Sequence, residues 1–93
     1  MSLFAKSESA RLDYSVDWAD WLAAGETITT AAWHVTPDEA GGITLDNAFL
    51  QGTLSGVFAS GGVPGHRYRL TCRIETDTLR IAERSMTLLI AET

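Results

Sequence analysis

The stretch from Arg67 to Thr76 constrains this chain more than any other. Tyr68, Leu70, Cys72 and Ile74 alternate with Arg67, Arg69, Thr71, Arg73 and Glu75. Successive strand side chains point to opposite faces, so this strict period of two predicts a half-buried strand. A lone strand is unstable in water. It needs neighbours on its edges and a second apolar layer against its Tyr68 row.

The rest of the chain offers both. Leu12, Tyr14 and Val16 alternate with Asp13, Ser15 and Asp17, and Trp18 continues their row. The segment Asp17–Gly25 is too short for a stable helix and ends in glycine, which predicts a single turn or a loop. Glu26–Thr36 is rich in Thr, Ile, Val and Trp, residues that suit a pleated surface. Its apolar positions, Ile28 and then Trp33 and Val35, switch face, which requires a bulge within Thr29–Ala32. Pro37 ends that strand because it cannot donate to a ladder.

Gly41-Gly42 predicts a turn, Ile43–Leu45 a short strand, and Asp46-Asn47 another turn. Thr53–Ala59 favours a strand, bent or at an edge because of Gly52 and Gly56. Gly61-Gly62-Val63-Pro64-Gly65 is a strong turn signal. After Asp77-Thr78, Met86, Leu88 and Ile90 form the inward row of a last strand. Residues Met1–Ala10 show little periodicity and read as a flexible or partner-ordered arm, leaving 11–93 as one domain.

Six or seven short strands with turn signals every 8–12 residues, and no long helix, predict an all-β sandwich. Trp33 and the Tyr68/Cys72 strand are arranged as in an immunoglobulin-like core. Cys72 is the single cysteine, so no internal disulfide closes and the thiol is expected to be a small buried hydrophobe. The expected core is Leu12, Tyr14, Val16, Trp18, Trp33, Tyr68, Leu70, Cys72, Ile74, Met86, Leu88 and Ile90.

Charge narrows the choice of partner. The first fifty residues hold eight acids and two bases, a net −6, and the remainder four acids and five bases, a net +1. A nucleic-acid binder needs a basic footprint, and five arginines spread among acids do not make one. The split suits head-to-tail contact between copies or contact with a charged partner, or else two solvated faces. The N-terminus lacks the apolar stretch of a signal peptide, and no apolar run approaches the ~20 residues of a membrane span. No membrane association is expected, and synthesis and folding are expected in a cytosol.

Catalytic chemistry finds no constellation. Asp13 and Asp17 share a strand face but lie ~13 Å apart, too far for a retaining carboxylate pair. His34, His66 and Cys72 lack metal-ligand spacing, and Gly61–Gly65 lacks the Lys-Ser/Thr ending of a phosphate loop. The expectation is no enzyme, no cofactor, no metal and no small-molecule substrate.

Docking is the remaining role. Trp21 and Leu22, flanked by Asp17 and Asp20, would make an aromatic anchor or cap one end of the sandwich. Phe4 lies in the arm. Arg67, Arg69 and Arg73 form a row on one strand face, suited either to a partner's carboxylates or to a cross-strand ladder with Glu75, Glu83 or Glu26.

Several of these stretches together resemble a known family. They are Leu12–Leu22 (LDYSVDWADWL), Gly25–Ile28, Ser60–Gly65, Tyr68–Ile74 (YRLTCRI) and Glu83–Leu88. The pattern is similar to small tailed-bacteriophage structural proteins of the fiber-tail adaptor type, from about Leu12 onward. The resemblance implies a non-enzymatic virion protein, present in several copies, made in the host bacterial cytoplasm. It would join the tail (baseplate, tube or neck) to fibre or neighbouring tail proteins. The competing readings are a carbohydrate-binding adhesion module, with Trp21 and Phe49 or Phe58 as a sugar platform, and a capsid decoration domain.

Overall fold

The computed structural model of the protein describes residues 2–91. The period-two segments pair into seven strands: β1 (Ser2–Lys6), β2 (Arg11–Asp17), β3 (Ile28–Thr36), β4 (Ile43–Gln51), β5 (Leu54–Gly61), β6 (Arg67–Thr76) and β7 (Ile81–Ile90). One sheet runs β1-β7-β6-β3 and the other β2-β5-β4. All pairings are antiparallel except β1 with β7, which is parallel. The two sheets stack as an immunoglobulin-like sandwich with no helix among the described residues.

The core follows the alternation. Tyr68, Leu70, Cys72 and Ile74 of β6 and Met86, Leu88 and Ile90 of β7 are buried against Tyr14, Trp18, Val57 and Ala59 from the other side. Cys72 is a free buried thiol opposite Trp33 in the β3–β6 register. The bulge in β3 falls between Ile28 and Thr30, where the apolar face switches. After Asp17, the last residue of β2, the segment 18–25 folds as turns, closed by the Trp21 and Leu22 amides donating to the Trp18 carbonyl at 3.0 Å.

Four expectations need correction. Residues 2–6 of the presumed arm form β1, which runs parallel to β7 from Ser2 opposite Met86 to Lys6 opposite Ile90. Lys6 is buried and its Nζ donates to the carbonyls of Ser7 (2.7 Å) and Gly61 (2.8 Å). Met1 lies outside the described residues. Asp46-Asn47 is not a turn: β4 continues through it with a register shift between Asp46 and Phe49, and Asn47 adopts φ 48°. A short polar side chain tolerates that left-handed backbone, so the same residue serves a bulge as well as a turn.

Leu12 keeps the inward phase of its row but is 43% exposed. It faces only Ala59 across the ladder, and β2 is an edge strand with protein on one side. Trp33 is half-buried for the same reason, since β3 is the edge of its sheet. It packs against both core clusters and links them.

Candidate docking surfaces

Several of the partly or fully buried ionisable side chains, among them Lys6, Glu26, Glu39 and Tyr68, fasten loops to the sandwich. Glu26 is the centre of the largest cluster. Its carboxylate accepts from Arg80 (Nε at 2.9 Å, and Nη2), Thr76 Oγ1 at 2.7 Å, Thr78 Oγ1 and the Ala23 amide at 2.9 Å. The Arg80 guanidinium, then the Thr78 hydroxyl and the Ala23 amide, hold this carboxyl well below the usual carboxylate range. The result ties the Trp18–Gly25 loop to the β6–β7 hairpin.

At the other end, Glu39 accepts from the Tyr68 hydroxyl and lies 2.8 Å from His66 Nδ1, and both hold its pKa down, Tyr68 more strongly. Tyr68 Oη also accepts from the Val63 amide at 3.0 Å. A tyrosine at the start of this strand bonding back to the preceding loop is a recurring feature of immunoglobulin-like sandwiches. Among the described residues no three His, Cys, Asp or Glu side chains gather as a metal-binding group.

The structure does not bring the expected docking residues together. Trp21 is half-buried, edge-on to Trp18 with ring centroids 5.6 Å apart, and the Arg80 guanidinium lies 4.0 Å above its ring. Leu22 packs beside it. Arg84 covers Trp18 at 4.5 Å, so two arginines clamp this tryptophan pair. Phe4 is 42% exposed on β1 and rests on Tyr14 at 5.6 Å between centroids.

Arg67, Arg69 and Arg73 stand exposed on the outer face of the β1-β7-β6-β3 sheet. Arg73 is opposite Glu83 in the β6–β7 register, but none of the three arginines forms an ion pair among the described residues. Glu26, one of their expected partners, is engaged by Arg80 instead. Next to Arg67 and Arg69 the same face carries Leu89 and Thr87, and beyond them Leu3, which is 62% exposed.

The outer face of the β2-β5-β4 sheet has the opposite character. Phe58 and Phe49 pair there at 6.2 Å, and Arg11 lies over Phe58 at 4.3 Å. Asp13 and Asp46 flank Phe58 from the two neighbouring strands. No ring contact joins Trp21 to either phenylalanine among the described residues, so the three do not form one platform. Sequence alternation marks Asp13 as outward, but its meeting with Phe58 depends on a β2–β5–β4 register that periodicity does not supply.

A groove opens between the free edges of β3 and β4. One part, about 370 Å³, is lined by Ala31, Trp33, Leu45, Ala48 and Val57, and it continues into about 150 Å³ beside Phe49 and Leu50.

Strand order, stacked sheets and the Trp33–Cys72 centre place the chain among immunoglobulin-like sandwich domains. Within that class the chain belongs to the family described as Podophage GP4 fiber-tail adaptor protein gp77, which matches residues 6–89. Membership gives it a structural, tail-associated role in a bacteriophage virion and makes other virion proteins its partners. No curated protein matches the chain.

Proposed function

We propose that this domain is a non-enzymatic adaptor that joins the phage tail, at the baseplate, tube or neck, to a fibre or a neighbouring tail protein. Family membership over residues 6–89 carries the reading. The physical design supports it. A sandwich 46 Å long and about 20 Å across has two differently charged faces. Most partly or fully buried ionisable groups brace the body, so the exposed faces are free to make contacts. Several copies per particle, each presenting the same faces, would hold the fibre through many modest contacts.

Particles assembled without this protein should keep their tails and lack fibres, with purified protein restoring attachment. Fibres retained at wild-type number in its absence would refute the adaptor role. A second reading, a host-surface carbohydrate module, draws on the tilted Phe49–Phe58 pair, since aromatic rings on a sheet's outer face suit sugar rings. Titration of host surface polysaccharide separates the two, because the adaptor binds none.

A further inference from the structure

We propose that the domain docks onto a second copy of itself, the basic corner of one sandwich seating on the acid-flanked phenylalanine face of the next. This goes beyond the adaptor role, because the partner is the same chain rather than a fibre or tail protein.

Two complementary surfaces on opposite sides of the molecule carry the inference. The first is the outer face of the β1-β7-β6-β3 sheet near Arg67 and Arg69. Both guanidinium groups lack an ion pair among the described residues, and exposed Leu3 with half-buried Leu89 supplies apolar surface beside them. The second is the outer face of the β2-β5-β4 sheet. There Asp13 and Asp46 sit on either side of Phe58 in one cross-strand row, separated by roughly 10 Å at the usual strand spacing. Among the described residues Asp13 forms no ion pair, and Asp46 is shared with exposed Arg11 at 3.1 Å.

The chemistries match. An arginine's planar fork pairs with carboxylates beside an aromatic ring, as Arg11 does here, lying over Phe58 and bonding Asp46, and a second copy's arginines meet the Asp13 side of the same row. Arg67 and Arg69 lie about 7 Å apart along their strand, within side-chain reach of two carboxylates flanking one ring. A face bounded by 46 and 20 Å has room for the roughly 800 Å² per partner typical of a specific interface. The two patches differ and lie on opposite sheets, so the contact is heterologous. Repetition then closes a ring or extends a string, according to the rotation between neighbours.

The test is sedimentation of the full chain at low ionic strength and rising concentration. Wild-type protein should self-associate, and added salt should reverse this. Arg67→Glu/Arg69→Glu and Asp13→Arg/Asp46→Arg should each weaken self-association by about tenfold or more. All four positions are exposed, and circular dichroism verifies that both variants fold. Mixed together, the two variants should regain association in equal proportions, alternating along the ring or string, because each face of one variant complements a face of the other. A wild-type chain that stays monomeric up to millimolar concentration overturns the proposal. So does self-association that neither variant alters, or a variant mixture that fails to pair. Fibre attachment is not read in this experiment, so its failure leaves the adaptor role standing.

Discussion

The indole N–H of Trp33 donates across the sandwich to Ser55 Oγ at 3.1 Å, and the Cys72 thiol donates to the same oxygen at 3.4 Å. In many immunoglobulin domains a disulfide and a tryptophan occupy this centre. Here one buried hydroxyl joins β3, β5 and β6. Ser55→Ala leaves the half-buried indole short of an acceptor and should cost about 1–2 kcal/mol. That is a fall in melting temperature of roughly 4–15 °C for a domain this size. An unchanged melting curve would show that the bond contributes nothing.

The Phe49 ring lies directly over Gly56. A Cβ at that position would sit 2.1 Å from the ring's Cζ, so Gly56→Ala must swing the ring away. The loss should be about 1–2 kcal/mol. It should also abolish the ring-current shift of the Gly56 region and loosen the Phe49–Phe58 pair. Retention of that shift in the alanine variant would contradict the packing described.

Acid should unfold the protein earlier than its neutral-pH stability suggests. The Glu26 carboxyl is held far below its unfolded value of about 4.3, chiefly by Arg80, and Glu39 and Asp17 are also lowered, by Tyr68 and Thr53 first respectively. A depressed carboxylate contributes stability that is fully present above its unfolded pKa and disappears as pH falls through its folded value. Melting temperature should therefore drop steadily below about pH 5. Glu26→Gln should be less stable at pH 7 and show a shallower acid slope; identical slopes would remove Glu26 as the cause.

Cys72 should resist thiol reagents in the folded protein. It is fully buried, and burial pushes its thiol up, so little reactive thiolate exists at neutral pH. Labelling by an aromatic disulfide should track unfolding in denaturant. Rapid modification of native protein would mean that the sandwich opens far more easily than its packing implies.

Removal of residues 1–6 should destabilise the fold and not merely trim an appendage. It strips β1 from the β7 edge and deletes the Lys6 bonds to Ser7 and Gly61. A cost of about 2–4 kcal/mol is expected from the lost packing. A truncated chain with wild-type thermal stability would place β1 outside the cooperative unit.

The strands that announce themselves in the sequence are those whose local alternation and tertiary burial agree. β6 spans Arg67–Thr76, the run marked by its alternation, and the Met86–Leu88–Ile90 row of β7 is buried. β1 was hidden because Ser2–Lys6 is short and joins its sheet only through a parallel partner some eighty residues away. A periodic scan of neighbouring residues cannot register such a pairing. Asp46-Asn47 misled because turn chemistry and bulge chemistry use the same residues. Arg80 and Glu26 share no motif either; a turn and a hairpin must first be folded before they meet. The facing of Asp13, Phe58 and Asp46 has the same origin, since register across three strands is a property of the sheet.

The left-handed backbone at Asn47 also bears on how safely this domain can be crowded. It interrupts β4 midway along an otherwise open flank, with the register slipping between Asp46 and Phe49. A stray strand zipping along that rim meets the misaligned step after a few rungs and loses its amide partners. The flank therefore makes a poor template for fibril growth.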